Sequence, residues 1–263
     1  MNYPFDKYKL YSDAVQSPHT DALFYETTYK DVFGSLKPKM NLREDFCGAG
    51  AISCEWVKRN KNFYAFGLDL DIEPMIYGRE KYVSKLKTDQ KKRIVLIQKN
   101  VLEKNLPQAD ISVAVNFSYF IFKDRELLTK YFKNVYNSLN HRGLFLVDVF
   151  GGTNCTDAIV DKNKLRQFTY YWDQKSFDPV SNNAEFGIHF KYKNKMYKNV
   201  FSYDWRMWTL PELKEIMLEA GFSDVLIYWE GTNRQGGGNG KFTPVKKGES
   251  CLSWIAYVVG VKK

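Results

Sequence analysis

The stretch Leu42-Arg43-Glu44-Asp45-Phe46-Cys47-Gly48-Ala49-Gly50-Ala51-Ile52 sets two carboxylates ahead of a bulky aromatic, then a small-residue turn, then an apolar run. A glycine turn between a strand and a helix ordinarily holds a nucleotide. Residues 41–46 read as the strand entering the turn and 50–60 as the helix leaving it. Outward from there, "FYAFGLDLD" (63–71) reads as a second strand ending in acids, 73–86 as a helix, and "RIVLIQ" (93–98) as a third strand. "DISVAVNF" (110–117) and "GLFLVDVF" (143–150) are the fourth and fifth. Between them, Leu127, Leu128, Tyr131, Phe132, Val135 and Leu139 recur at helical spacing over 124–139. Strands alternating with helices imply right-handed crossovers and a parallel sheet. Their near-continuous apolar character suits strands covered on both faces.

The flanks differ in character. Residues 1–40 read as a helical cap broken at Ser17-Pro18. Ser17 or Thr20 would cap a helix from Asp21 to Phe33 that stops at Gly34. Residues 151–208 are polar, lysine-rich and aromatic. They alternate as antiparallel strands do, and read as an insertion on the sheet's carboxyl end. "TLPELKEIMLEAGF" (209–222) reads as a helix with Thr209 as N-cap, Glu212 at the capping-box position and Gly221 past its end. "DVLIYWE" (224–230) and "SWIAYVVGV" (253–261) read as two strands joined by a mobile hairpin loop. The expectation is one α/β domain over 1–263. It has a Rossmann-like, doubly wound, mostly parallel core at 41–150, an antiparallel β insertion at 151–208, and the rest of the sheet at 209–263.

Composition narrows the chemistry. The 263-residue chain carries 39 Lys+Arg against 30 Asp+Glu, a net charge of +9, which admits a nucleic-acid partner. The lysines are scattered, however, and only Lys91-Lys92-Arg93 forms a run of three. A small-molecule partner is therefore favoured. Aromatic content of 16% fits a ring-lined pocket. The four cysteines, Cys47, Cys54, Cys155 and Cys251, form no C-x-x-C pair, so zinc is not expected. Their spacing fits a reducing cytoplasm. The N-terminus lacks the apolar stretch of a signal peptide, and no apolar run has the length of a membrane span. Gly236-Gly237-Gly238 is followed by no Lys-Ser/Thr helix start, which excludes a P-loop.

In an open parallel sheet a ligand sits beyond the carboxyl ends of the strands, where strand order reverses. Cys47-Gly48-Ala49-Gly50 would let backbone approach that ligand. Asp69, about twenty residues on, stands where a ribose-binding carboxylate belongs. A dinucleotide fingerprint needs G-x-G-x-x-G, yet Phe46 replaces one glycine and no third glycine follows at the right offset. Glu44 and Asp45 would repel a pyrophosphate and attract a cation. S-adenosylmethionine is such a ligand, with an ammonium, a sulfonium and no phosphate.

These motifs resemble, in order, those of the class I S-adenosylmethionine-dependent methyltransferases. "EDFCGAG" resembles their first motif, with Glu44 at the acidic position. "GLDLD" (67–71) resembles the second, "QKNVLE" (98–103) the third with Asn100 in place of an Asp, and "DISVAVNFSYFIFKD" (110–124) the fourth. "KYKLYSDAVQ" (7–16) with "LREDFCG" resembles a bacterial branch of that superfamily, for which the resemblance implies no acceptor. The resemblance implies a seven-stranded sheet with an antiparallel last strand, "SWIAYVVGV". It implies a donor site of Glu44, Phe46, Cys47, Gly48, Gly50, Asp69, Leu70, Asn100, Val101, Asn116 and Phe117. Tyr11 and Gln16 would reach the methionine end from an N-terminal lid.

Methyl transfer is an in-line displacement that rests mostly on positioning. A general base is needed only when the acceptor must first lose a proton. Tyr119 and His189 are the catalytic candidates. Tyr119, Trp172, Tyr203, Arg206 and Trp229 are the candidate acceptor contacts, with Arg206 a clamp for a carboxylate or phosphate. The expected reaction is transfer to N or O of a small molecule. RNA or protein methylation, an NAD-type oxidoreductase and a non-catalytic binding module are the alternatives. Oligomeric state is not specified.

Overall fold

The computed structural model describes residues 3–234 and 236–263. Helices α1 (Lys7–Val15) and α2 (Pro18–Phe33) precede strand β1 (Met40–Asp45). Then come α3 (Ala51–Arg59), β2 (Phe63–Asp69), α4 (Ile72–Lys81), α5 (Thr88–Lys91), β3 (Ile94–Gln98) and β4 (Ala109–Ala114). They are followed by α6 (Arg125–Ser138), β5 (Leu139–Gly151), β6 (Val160–Lys164), β7 (Phe168–Asp178), β8 (Asn183–Tyr192) and β9 (Lys195–Arg206). α7 (Leu210–Ala220), β10 (Asp224–Thr232), β11 (Gly238–Val245) and β12 (Trp254–Lys262) complete the chain.

The large sheet has the order β11-β10-β12-β5-β4-β1-β2-β3. Strand β1 pairs in parallel with β2 on one side and β4 on the other, so strand order reverses between β1 and β4. Strand β12 runs antiparallel to both β5 and β10. One expectation is corrected here. The sheet has eight strands rather than seven, because the segment read as a mobile loop contains β11, paired antiparallel to β10. Its glycines and alternating polar residues mask a strand whose side chains are mostly exposed. An edge strand needs ladder hydrogen bonds but little apolar burial.

Two helical layers cover the sheet. Ala22, Tyr25 and Tyr29 of α2 pack with Ile52, Trp56 and Val57 of α3 on one face. Leu128, Tyr131, Phe132 and Val135 of α6 pack with Leu213, Ile216 and Met217 of α7 on the other. Fully burying one such side chain contributes roughly 1.5–3 kcal/mol. Helix α2 begins at Pro18 rather than Asp21. Ser17 holds the N-cap position without a side-chain bond, and proline suits the first turn because its missing N–H would be orphaned there. Thr209 and Glu212 form the expected capping box on α7.

Strands β6-β7-β8-β9 make the second, antiparallel sheet of the insertion. Helix α1 belongs to it: Leu10 packs with Phe168, Ile188, Phe190 and Val200. This sheet and α1 together roof the carboxyl ends of β1 and β4. Among the described residues no helix is long and apolar enough to cross a membrane.

Candidate functional site

The turn after β1 is held open by backbone geometry. Phe46 sits at φ 58° and Gly50 at φ 67°, both left-handed. A Cβ on Gly50 would meet Leu96 Cδ2 at 2.7 Å. From below, Gly78 of α4 lies so close that a Cβ there would stand 1.9 Å from the Ala49 carbonyl oxygen. The Cys47 N–H donates to the Leu68 carbonyl at 2.9 Å, tying the turn to β2.

Two acids separated in sequence have distinct duties at this turn. Asp69 accepts the Gly48 N–H on Oδ2 at 2.6 Å and the Asp71 N–H on Oδ1 at 2.9 Å. Burial pushes its carboxyl above the ordinary value, against those two hydrogen bonds. Glu44 accepts both the N–H and the hydroxyl of Ser53 on Oε2, at 2.8 and 2.6 Å. Its Oε1 has no protein partner among the described residues. Burial raises Glu44 to about 7. Asp45 does not share this role. It is buried beneath the cleft in a salt bridge with Arg43 (2.8 Å) and accepts from the Tyr131 hydroxyl at 2.8 Å. Of the pair, only Glu44 lines the cleft.

A cleft of about 370 Å³ lies over the turn, lined by Glu44, Phe46, Cys47, Gly48, Asp69 and Asn116, with Tyr11 and Gln16 on the roof. Tyr8 of α1, Asp71, Tyr82 and Phe201 also line it, which the sequence reading did not single out. Lys7 pairs with Glu73 at 2.8 Å, and the Tyr8 ring sits 4.9 Å from Tyr77, so α1 is anchored to α4 across the cleft. Asp71 caps α4 by accepting the Glu73 N–H at 2.9 Å.

After β4 the chain turns through two consecutive left-handed non-glycine residues, Asn116 and Phe117, both at φ 57°. Such a pair costs energy. The buried Asp148 of β5 holds it, accepting the Asn116 N–H at 2.7 Å and the Phe117 N–H at 2.9 Å. Burial raises Asp148 to about 7. The signal for Asp148 was in the sequence, as one acid inside the apolar run "GLFLVDVF".

The turn separates the cleft from a small chamber of about 110 Å³ whose rings are Tyr11, Phe117, Tyr170, Trp172, Tyr203 and Trp205. Cleft and chamber share Tyr11, Asn116 and Tyr203. Phe201, Tyr203 and Trp205 alternate along β9, a period-two pattern that places the three on one face.

Several expected site residues lie elsewhere. Leu70 is 61% exposed and Val101 is buried in the core; neither lines the cleft. Asn100 turns its side chain back to accept the Leu102 N–H at 2.9 Å. Tyr119 is fully buried, and its hydroxyl donates to the Asp148 carbonyl at 2.8 Å. His189 lies inside the small sheet. Its Nδ1 accepts the Asn199 N–H at 2.9 Å, which leaves Nε2 to donate to Asp173 at 3.0 Å. Arg206 faces α7 rather than the chamber. It donates to the Lys123 carbonyl (3.1 Å) and Glu212 (3.0 Å) and lies 3.8 Å over the Trp208 ring. Trp229 packs on Trp254 at 4.9 Å, outside both cavities. Tyr119, His189 and Arg206 are chemically capable side chains engaged by tertiary contacts that local sequence does not reveal.

No protein-family model matches the sequence, and a search of curated proteins finds no match. Solved structures do match the fold. A S-adenosylmethionine-dependent methyltransferase from Clostridium acetobutylicum has a TM-score of 0.69 at 17% identity, covering 98% of each chain. An amino pentose methyltransferase from Micromonospora echinaspora has a TM-score of 0.67 at 13% identity, covering 100% of this chain and 99% of its own. A sugar N-methyltransferase from Streptoalloteichus has a TM-score of 0.63 at 13% identity, with coverage of 100% and 95%. The chain therefore has the Rossmann-like fold of class I methyltransferases.

Proposed function

We propose that this protein is an S-adenosylmethionine-dependent methyltransferase that acts on a nitrogen of a small molecule. The observation that carries the reading is that the acid-lined cleft and the aromatic chamber adjoin, sharing Tyr11, Asn116 and Tyr203 as walls. The cleft suits a cationic donor better than a phosphate-bearing one. The Gly48 N–H, which a pyrophosphate would need, already serves Asp69, and Glu44 turns a free oxygen to the cavity. The donor, when bound, supplies an activated methyl group on a sulfonium. Asp69 would accept the ribose hydroxyls, and Glu44 would face the cationic methionine end beneath Tyr11 and Gln16. The Asn116–Phe117 turn sets where donor and acceptor meet, and positioning of this kind is the main catalytic contribution.

The chamber favours nitrogen over oxygen. None of the described residues lining it is Asp, Glu, His, Lys or Arg. Its phenols stay protonated and so cannot take up a proton, because burial pushes Tyr11 up to about 12 and Tyr203 well above the ordinary value. A hydroxyl acceptor would need a base to take its proton. A neutral amine brings its own lone pair, and its proton leaves to solvent after transfer. Ring faces around the forming ammonium stabilise the charge it acquires. The sugar and glycopeptide N-methyltransferases among the similar structures support the same class of acceptor. The scatter of the lysines along the chain weighs against RNA, despite the net charge of +9.

Calorimetry with S-adenosylmethionine, S-adenosylhomocysteine and NAD tests the donor. Binding of the first two and not the third is expected, and indifference to both sulfur compounds would end the proposal. Mass spectrometry of amines and alcohols incubated with the donor then reads the methylated atom.

A further inference from the structure

A second pocket adjoins the chamber. Phe117 and Trp172 line both the chamber and an outer pocket of about 300 Å³. This pocket lies where the turn after β5, the small sheet and the β10–β11 hairpin meet. Its polar groups share one character. Gln174 is only 8% exposed, and its amide nitrogen donates to the carbonyls of Asn154 (2.9 Å) and Asp157 (2.8 Å). Those bonds fix the carboxamide and leave Oε1, which has no protein partner among the described residues, as the end turned to the pocket. Glu230 accepts the Gly240 N–H on Oε1 at 2.8 Å, and its Oε2 has no protein partner among the described residues. Asp161 stands opposite Trp172 in the β6–β7 ladder, with neither a hydrogen bond nor an ion pair among the described residues. None of the described lining residues is Lys, Arg or His. On a chain of net charge +9, a pocket with two carboxylates, an orphan amide oxygen and no cation runs against the general surface.

Such a wall accepts hydrogen bonds and positive charge and donates little. Trp254 and Trp172 add apolar faces on which a ring can lie. An anion entering here would meet two like charges with no compensating donor, and juxtaposed like charges exclude a partner more strongly than complementary ones attract it.

We propose that the outer pocket is a second recognition subsite, which holds a cationic, hydroxyl-bearing part of the acceptor while the methylated nitrogen occupies the chamber, and which turns away acceptors carrying a phosphate or diphosphate. The assignment of the chamber rests on the methyl-transfer reading above; the charge preference of the pocket does not.

The test is calorimetry on the full chain saturated with S-adenosylhomocysteine. The probes are 2-deoxystreptamine, with two ammonium groups on a hydroxylated ring, the neutral polyol myo-inositol, and thymidine diphosphate. The diamine is expected to bind at least tenfold more tightly than inositol, and the diphosphate to show no heat. The double variant Asp161→Asn, Glu230→Gln is expected to lose at least tenfold toward the diamine while keeping its affinity for S-adenosylhomocysteine. Diamine binding no better than inositol, diamine binding untouched by the double substitution, or diphosphate binding as tight as the diamine would each overturn the proposal. Failure of S-adenosylhomocysteine to saturate the protein would instead strike the methyl-transfer reading. The same titrations without it would still read the pocket's charge preference.

Discussion

Asp69 enters the cleft with each oxygen already accepting one backbone N–H, from Gly48 and Asp71. A carboxylate oxygen has a further lone pair, so the residue can order the turn and still take ribose hydroxyls. Asp69→Ala is expected to weaken donor binding by roughly 1–3 kcal/mol, since a buried polar contact is left unmade. Calorimetry with S-adenosylhomocysteine measures it, and an unchanged affinity removes Asp69 from the site. Arg206 teaches the opposite lesson. Its setting among tryptophans suggests an acceptor clamp, yet its guanidinium joins β9 to α7 through Glu212 and the Lys123 carbonyl. Arg206→Ala is therefore expected to lower the melting temperature, by roughly 1–2 kcal/mol of stability, with donor affinity and acceptor KM unchanged. A raised KM in a protein of unaltered stability would return the arginine to the site. Residue type and spacing placed Asp69 at the cleft because its position depends on a local strand end. They misplaced Arg206 because its partners lie as far off as residue 123.

The glycine turn depends on α4 as much as on its own glycines. Gly78 presses against the Ala49 carbonyl, so a methyl group there cannot fit without displacing the turn. Gly78→Ala is expected to cost roughly 1–3 kcal/mol of stability by overpacking and to reduce donor affinity at least tenfold. A variant with normal affinity in the same titration would show that the turn moves freely. Apart from the one-turn helix α5, the strands and helices of residues 41–150 were legible within a few residues, because buried parallel strands and amphipathic helices carry strong apolar periods. Strand β11 was not legible. Its residues are nearly all exposed, and what forms it is a ladder with β10 rather than a side-chain pattern.

Three carboxyls, two buried and one partly buried, link the protein's overall stability to its ligand. Asp21 at the start of α2, Glu44 and Asp148 are each raised to about 7, with burial the main cause. Asp21 also acts electrostatically on the other two, and Asp69 on Glu44. In the unfolded chain these groups ionise near their ordinary values, about 4. The folded state holds their protons longer, so the stability they confer is complete below that value and is lost as pH rises through about 7. Urea unfolding should therefore show a midpoint that falls between about pH 4.5 and 7.5. Donor affinity should rise over the upper part of the same range, as Glu44 ionises, and Glu44→Gln should flatten both trends. A midpoint that climbs with pH through this window would contradict the assignment. The doubly wound core and the acid at the end of the second strand followed from the chain's own pattern, since each depends on neighbours within a few residues or on strand ends fixed by periodicity. The hold of Asp148 on the Asn116–Phe117 turn, the six-ring chamber and the acidic outer pocket arise only when strands distant in sequence are laid side by side under the small sheet, because a contact or a cavity is made by surfaces that meet and no single segment contains it.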